Sequence, residues 1–280
     1  MKTALITGAN AGIGLATAKA LATRGFNLVL VCRNAKKGQE AQAAVQKANP
    51  AVSIELLLAD LADLESVRAV AGQVSQKYDR LDVLLNNAGY APVKLEFTSE
   101  NVEKSFFASH VGHFVLTREL MPLLQKTAGA TGDVRVITLS SAGHAFGSAS
   151  RFFKQDSKLS VMQAYCDDKL ANLLFARELA TRTAGTGITS YSVHPGAVRT
   201  NFGADTPGLL GKLLALAAPL MLTPERGAET SVFLASAPLK SIGERNNGGY
   251  FAKMRPAKPQ NRDATDQNAR ALWEKTMAFV

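Results

Sequence analysis

Short apolar runs alternate with longer amphipathic stretches along the whole chain. The short runs are rich in valine, isoleucine and leucine, which is typical of buried strands, whereas the longer stretches repeat their apolar residues at the period of a helix. The predicted strands cover residues 3–7, 27–31, 52–58, 83–86, 134–139, 188–193 and 249–251. The predicted helices cover residues 12–24, 35–48, 64–78, 100–125, 161–182, 224–235 and 264–279. Because strands alternate with helices, we expect a doubly wound α/β fold, in which helices cover both faces of a seven-stranded parallel sheet.

Length and composition favour one domain. The chain has 280 residues, 46% of them apolar, which is enough for a large core, and we expect residues 1–280 to form a single domain with 255–262 as a surface connection. Without an apolar run of membrane-spanning length or a signal sequence, and with two cysteines, we expect a cytoplasmic protein that is not stably inserted in a membrane. The net charge of +9 comes from scattered lysines and arginines, which indicate a solvated surface and not a nucleic-acid site.

A glycine-rich loop joins the first predicted strand to the first helix. Residues 7–14 read TGANAGIG. Glycines let backbone N–H groups approach an anion closely, and the helix N-terminus adds the positive end of its dipole. This position after a strand and before a helix predicts a dinucleotide site of the Rossmann type, although the first interval is longer than in the G-x-G-x-x-G fingerprint.

Tyr165 and Lys169 are four positions apart in a predicted helix, so their side chains lie on one face. A phenol with its ordinary pKa of about 10 is a poor acid or base at neutral pH. A neighbouring ammonium favours the phenolate and lowers that pKa, so the pair predicts a usable proton donor and acceptor. The same spacing is common on amphipathic helices, which leaves a surface or packing role open for the pair taken alone.

Further motifs follow the predicted strands in a consistent order. Asp60-Leu61 follows strand three, NNAG at 86–89 follows strand four, Ser140-Ser141 follows strand five, and HPGAVRT at 194–200 follows strand six. With the glycine loop and the Y-x-x-x-K pair, this order resembles the short-chain dehydrogenase/reductase family over nearly the whole chain. Segments 164–172, 185–189 and 194–196, with 249–251 and 271–273 near the end, are similar to its retinol dehydrogenase-like branch.

The resemblance implies an oxidoreductase that transfers a hydride between a nicotinamide and a carbonyl or alcohol. Tyr165 would be the acid and base, Ser141 would polarise the substrate oxygen, and Lys169 would lower the pKa of Tyr165 and bind the nicotinamide ribose. No metal site is implied. The implied cofactor-binding residues are Gly8, Asn10, Gly12, Ile13, Gly14, Arg33, Asn34, Asp60, Leu61, Asn87, Ala88, Gly89, Tyr165, Lys169, Pro195, Gly196, Val198 and Thr200. A non-catalytic NADP(H)-binding or redox-sensing protein of the same fold remains an alternative.

Arg33, which follows the second predicted strand, favours NADP(H) over NAD(H). A carboxylate at this position would accept hydrogen bonds from the ribose 2′-hydroxyl of NAD, whereas an arginine pairs with the 2′-phosphate of NADP. No acidic residue lies between Phe26 and Gln39. In the other direction, many NADP-dependent relatives carry a basic residue just before the second glycine of the loop, where this chain has Ala11.

Two segments predict an apolar substrate. The loop between the two catalytic hydroxyl residues carries His144 and Phe152, and the leucine-rich stretch 202–222, which begins at Phe202, is typical of a helical lid with an apolar underside. We expect His144, Phe152 and Phe202 to line a pocket for a small apolar carbonyl or alcohol. The leucines equally suit packing against the body of the protein or a partner subunit, and the resemblance leaves both a homodimer and a monomer open.

One family residue is missing. In the segment ASHVGHF at 108–114, the family usually has an asparagine three residues before the glycine, and this chain has Ser109. In relatives that asparagine positions a water in a proton relay to the active-site lysine. A hydroxyl can also bind a water but reaches less far, so we expect the relay behind Lys169 to be slower or routed differently.

Overall fold

The strands form one mostly parallel sheet in the computed structural model, which describes residues 1–90, 92, 94–154, 158–198 and 221–280. Across the sheet the order is β3-β2-β1-β4-β5-β6-β7-β8. The strands are β1 (Thr3–Thr7), β2 (Asn27–Cys32), β3 (Ile54–Leu58), β4 (Val83–Asn86), β5 (Val134–Leu139), β6 (Ile188–His194), β7 (Tyr250–Ala252) and β8 (Arg255–Ala257). The chain winds outward from β1 in one direction and from β4 in the other, which confirms the predicted doubly wound Rossmann fold.

The sheet has eight strands where the pattern predicted seven. The extra strand, β8, pairs antiparallel with β7 through a hairpin whose two turn residues, Lys253 and Met254, have φ values of 51° and 60°. It lies in the segment expected to be a surface connection. Residues Arg255 and Pro256 are exposed and the strand has no apolar run, so periodicity gave no signal; an edge strand tolerates a proline because its N–H need not pair.

Helices cover both faces of the sheet. They are α1 (Gly12–Thr23), α2 (Ala35–Gln46), α3 (Leu64–Lys77), α4 (Lys104–Phe106), α5 (Gly112–Thr131), α6 (Val161–Arg182), α7 (Pro224–Ser236), α8 (Leu239–Ile242) and α9 (Asp266–Phe279). Side chains of α1, α2 and α7 pack in one apolar cluster, and those of α3, α5 and α6 pack in another on the opposite face. None of the helices within the described ranges is long and apolar enough to cross a membrane.

The predicted helix 100–125 differs from the observed one. The short helix α4 leads into a π-helical turn, Phe107–Val111, which continues directly into α5 and ends at Thr131. A π turn inserts an extra residue into the helical ladder and often marks a functional site. The residue that stands in place of the family's asparagine, Ser109, lies in this turn.

Helix α6 is held from both sides. Its N-terminus has a capping box, in which Ser160 and Gln163 each bond the other's backbone N–H. Near its other end, the ring of Trp273 on α9 stacks on Phe175, with 4° between the planes, and the guanidinium of Arg182 lies 4.7 Å from the same indole. Both ends of the helix that carries Tyr165 and Lys169 are therefore fixed.

Two glycines in α5 give a matched test of this packing. A Cβ on Gly112 would lie 2.2 Å from the carbonyl oxygen of Leu61, whereas a Cβ on Gly129 would meet no atom within 4 Å. We expect Gly112→Ala to lower the free energy of unfolding by about 1–3 kcal/mol, because the loop after β3 must move. Gly129→Ala should raise it by about 0.4–1 kcal/mol, since alanine favours the helix. Urea unfolding of both variants measures the difference, and equal effects would contradict the close approach.

Candidate active site

The site lies where β1 and β4 are neighbours in the sheet. From these strands the chain leaves in opposite directions, so the loops at their carboxyl ends separate and open a crevice. The glycine-rich loop follows β1, and Asn87, Ala88 and Gly89 follow β4. The predicted phosphate loop and the predicted NNAG segment are therefore side by side.

Close backbone approach explains the glycines of this crevice. Gly8 has φ of +64°, and a Cβ on it would lie 2.9 Å from Cα of Ala88. A Cβ on Gly14 would lie 2.4 Å from the oxygen of Gly8 and 2.5 Å from the side-chain nitrogen of Asn87. Larger residues at either position would push the two loops apart.

The hydroxyl of Thr7 joins the two loops. It accepts hydrogen bonds of 2.9 Å from the backbone N–H groups of Asn87 and Ala88, and it lies 2.8 Å from Nε2 of His113. The Asn87 amide in turn donates to the carbonyl of Thr7 at 2.7 Å. The Nδ1 of His113 donates to the carbonyl of Ser109 at 2.8 Å, so a neutral ring accepts the Thr7 proton at Nε2. Burial lowers the pKa of His113 to about 4, which keeps the ring neutral.

Ser141, Tyr165 and Lys169 meet at the carboxyl end of β5. Ser141 and Tyr165 are hydrogen-bonded through their side chains, and Nζ of Lys169 lies 5.3 Å from the centre of the Tyr165 ring. Ser140 donates to the backbone carbonyl of Lys169 at 2.7 Å, which ties the end of β5 to α6. The structure therefore brings the three predicted catalytic residues together.

Burial and the Lys169 ammonium shift the pKa of Tyr165 in opposite directions. Burial raises the pKa of the Tyr165 phenol, while Lys169 and the hydrogen bond from Ser141 lower it, and the net pKa lies above the usual value. Lys169 lowers the pKa of Tyr165, as the spacing predicts, but the net shift is upward because burial has the larger effect. The spacing of two residues carries no information on how deeply the phenol is buried.

The turn after β6 packs on the first turn of α7, which also contacts Ile13 of α1. Gly196 has φ of +88°, and the N–H of Leu222 donates to the carbonyl of Ala197 at 2.8 Å. A Cβ on Gly227 of α7 would lie 2.5 Å from Cγ2 of Val198 and 3.2 Å from Cγ1 of Ile13. Pro195, Gly196 and Val198 thus lie at the same sheet edge as the glycine loop. Thr200, Phe202 and the predicted lid 202–222, apart from its last two residues, lie outside the described residues.

Comparison with known proteins agrees with this geometry. The profile of the family described as short chain dehydrogenase matches residues 2–207. The chain is 38% identical to retinol dehydrogenase 14 of Homo sapiens, over 100% of this chain and 86% of the relative. The chain belongs to the short-chain dehydrogenase family. The predicted family, its retinol dehydrogenase-like branch and an oxidoreductase activity are confirmed.

Solved structures of the family share the fold. An uncharacterized protein from Mycobacterium paratuberculosis matches with a TM-score of 0.73 at 29% identity, over 99% of this chain and 94% of the other. A candidate gluconate 5-dehydrogenase from Beutenbergia cavernae, solved with NADP at low occupancy, matches with a TM-score of 0.69 at 27% identity, over 90% and 94%. These likenesses cover nine-tenths or more of the chain and agree with the observed fold.

Three residues predicted to bind the cofactor follow β2 and β3. Arg33 is exposed directly after β2, and its charge lowers the pKa of the Tyr90 phenol, which follows the NNAG segment. Asn34 caps α2 by accepting from the N–H of Lys37 at 2.9 Å. After β3, Asp60 accepts from the N–H of Ala62 at 2.9 Å. All three lie at the carboxyl edge of the sheet.

His144 and Phe152, predicted to line the substrate pocket, are both buried. Nδ1 of His144 donates to the carbonyl of Ser141 at 2.6 Å, and its Nε2 accepts from the N–H of Gln260 at 3.1 Å. The ring lies 4.7 Å from that of Tyr250. Phe152 packs 5.5 Å from the ring of Phe106. These contacts indicate that His144 holds the loop that carries Ser141, and that Phe152 fills the core.

Sequence reasoning missed a residue of this site, Asp168. Its side chain is completely buried, and Oδ1 lies 3.2 Å from Nζ of Lys169. Consecutive helix residues point about 100° apart, so their spacing does not predict that two neighbours contact each other. The available signal was an acidic residue directly before the lysine, in a helix that had to be buried on several sides.

Two buried threonines test the bridge between the loops. We expect Thr7→Val to lower the free energy of unfolding by about 2–3 kcal/mol and to weaken NADPH binding, because two N–H groups and His113 lose their partner. Thr17→Val is the matched control, since the buried Thr17 hydroxyl has no hydrogen-bond partner among the described residues, and its effect should stay below about 1 kcal/mol. Urea unfolding and NADPH titration measure both. Equal losses in the two variants would show that the Thr7 hydroxyl is not the bridge.

Proposed function

We propose that this protein is an NADP(H)-dependent dehydrogenase/reductase of small apolar ketones, aldehydes or alcohols. The observation that carries the proposal is the hydrogen-bonded Ser141 and Tyr165 pair with the Lys169 ammonium 5.3 Å from the phenol ring. The three groups lie at the sheet edge that also holds the glycine loop, so a proton donor and a dinucleotide cradle adjoin each other. Membership in an oxidoreductase family supports this reading.

The residues of the crevice fit a dinucleotide. Gly8 and Gly14 leave no room for a Cβ, so the glycine-rich loop packs directly against the loop after β4. The N-terminus of α1 follows this loop, and its backbone N–H groups would bind the phosphates. When bound, the nicotinamide would supply or accept the hydride. Lys169, which adjoins Gly89, would bind the nicotinamide ribose, and Val198 would hold the carboxamide.

Proton transfer is the part that the protein itself performs. In reduction, Tyr165 donates its phenolic proton to the carbonyl oxygen while Ser141 donates a hydrogen bond to the same oxygen. In oxidation, Tyr165 takes the proton from the alcohol. Asp168 and Tyr165 together outweigh the effect of burial and raise the pKa of Lys169, which favours the charged ammonium. The positive charge stabilises the phenolate that forms after the proton has left.

Arg33 supports NADP(H) as the cofactor. It is exposed at the carboxyl end of β2, where the fold family places the adenine ribose, and no carboxylate occurs between Phe26 and Gln39. The family member from Beutenbergia cavernae was solved with NADP. An apolar substrate is supported by the relatives named retinol dehydrogenases.

The role of Tyr165 predicts a large loss on removal of its hydroxyl. We expect Tyr165→Phe to lower kcat/KM for a reactive apolar ketone by at least about 100-fold, because the proton donor is lost, while NADPH binding stays within a few-fold. Tyr78→Phe is the control, since Tyr78 bonds Glu55 far from the site. NADPH oxidation with a panel of aromatic and long-chain ketones measures both. NADPH binding without turnover on the whole panel would favour a non-catalytic sensor.

Arg33 predicts the cofactor preference. We expect Arg33→Asp to raise the Kd of NADPH by about 10- to 100-fold, because a charge-assisted contact is replaced by repulsion, and to change that of NADH by less than about 3-fold. Lys47→Asp, with the same charge change at the other end of α2, should leave both constants unchanged. Fluorescence titration measures them. An equal effect of Arg33→Asp on the two cofactors would contradict the assignment.

A further inference from the structure

We propose that Asp168 is a positioning residue that exchanges a proton with Lys169, and that with Ser109 it replaces the asparagine that other family members carry at position 109. The inference rests on the proposed function, because it concerns how Lys169 regains its proton during turnover. Two polar side chains are buried behind Lys169, those of Asp168 on α6 and Ser109 in the π-helical turn, and Ser109 lies next to the exposed Gly89 after β4.

Asp168 is the buried carboxylate closest to the reaction centre. It is 0% exposed, and Oδ1 lies 3.2 Å from Nζ of Lys169. Neither carboxylate oxygen has a hydrogen bond of ordinary geometry within the described residues. A buried carboxylate is strongly disfavoured unless it is paired, so the ammonium is the group that compensates it.

The neighbouring acid, Asp167, differs in every contact. Its carboxylate accepts from Arg151 at 2.7 and 2.6 Å and from the backbone N–H of Ser148 at 2.8 Å. Asp167 therefore fastens the loop before α6, and its oxygens are occupied. Of the two consecutive acids, Asp168 alone contacts the catalytic lysine.

Ser109 lies on the same side of the lysine. A Cβ on Gly89 would be 3.1 Å from Nζ of Lys169 and 3.3 Å from Oγ of Ser109, so both atoms adjoin one backbone position. The Ser109 hydroxyl is buried without a hydrogen bond of ordinary geometry among the described residues, yet it lies near enough to Asp168 to lower the pKa of that carboxyl. Serine is shorter than asparagine, and the oxygen that reaches the ammonium here belongs to Asp168.

The surrounding charges make Asp168 able to exchange a proton near neutrality. Burial raises its pKa to about 7, Lys169 and Ser109 lower it, and the buried carboxylate of Glu103 raises it. The other ionisable groups that face this region are Tyr90, Tyr165, Cys166 and His113. Burial lowers the pKa of His113 and raises that of Cys166, so both are neutral. The Asp168 charge also raises the pKa of Tyr165, so a protonated Asp168 favours the phenolate.

The proposed exchange moves protons only. In reduction, the proton that leaves Tyr165 is replaced from the Lys169 ammonium, the Asp168 carboxyl returns a proton to Nζ, and water protonates Asp168. In oxidation each transfer runs in reverse. One proton enters or leaves per turnover, O–H and N–H bonds alone change, and the hydride comes from or goes to the nicotinamide.

The first test is the pH profile of Asp168→Asn, with Asp167→Asn as the matched control. We expect kcat of the wild type for ketone reduction to fall above about pH 7, where Asp168 loses its proton. In Asp168→Asn that inflection should vanish and kcat at neutral pH should fall about 10-fold, with KM and the Kd of NADPH within about 3-fold. Asp167→Asn should keep the inflection. An unchanged inflection and kcat in Asp168→Asn would overturn the proposal.

The second test is rescue by the asparagine that the family uses. We expect Ser109→Asn combined with Asp168→Asn to recover turnover to within about 3-fold of the wild type, because the side chain at 109 again reaches the lysine. A double variant as slow as Asp168→Asn would overturn the shared role of the two residues. If the wild type showed no turnover, or if Tyr165→Phe kept full activity, the proposed function itself would be rejected.

A third readout needs no activity. The pKa of Asp168 is about 7 in the folded protein and 3.8 in the unfolded chain. Its contribution to the free energy of unfolding therefore decreases as pH rises from about 4 to about 7, and it does not change with pH above that range. In Asp168→Asn this decrease is absent, because asparagine does not titrate. Its free energy of unfolding should therefore rise relative to the wild type between pH 4 and 7, measured by urea unfolding. A difference that does not depend on pH would show that Asp168 does not titrate near neutrality.

Discussion

The hydroxyl of Thr7 is the contact on which the site depends. It joins the loop after β1 to the loop after β4, the two strands at which the sheet changes its direction of winding. Through His113 it also fixes the carbonyl of Ser109 in the π-helical turn. One side chain thus connects the cofactor loop, the NNAG segment and the wall behind Lys169. The crevice keeps its shape because these loops cannot move independently.

Burial sets the chemistry of the catalytic groups as much as their identity does. The phenol of Tyr165 and the carboxyl of Asp168 both have raised pKa values because they are removed from water, and the pKa of Lys169 is raised because Asp168 and Tyr165 offset its own burial. The site therefore holds ionisable groups in buried positions, where burial disfavours their charged forms. Such an arrangement lowers stability and is typical of functional sites, where protons must be exchanged near neutral pH.

One departure from the family pattern, Ser109, lies beside the lysine. Ser109 and Asp168 come from different elements, the π-helical turn and α6, and both lie next to Lys169. The glycine-rich loop, the Ser141 and Tyr165 pair and the turn after β6 lie at the same carboxyl edge of the sheet. The proposed difference therefore concerns the supply of protons to Lys169.

The sequence by itself determined the winding of the sheet, the phosphate loop and the register of Tyr165 with Lys169, because these follow from local periodicity and from glycines that backbone geometry requires. It also indicated Arg33 and Ser141 by their positions after strands. Only the tertiary structure decided the edge strand β8, which has no apolar pattern, and the net direction of the Tyr165 pKa, which depends on burial. It also decided that Asp168 faces Lys169 while Asp167 faces Arg151. These features depend on burial and on which elements pack together, and no local spacing encodes them.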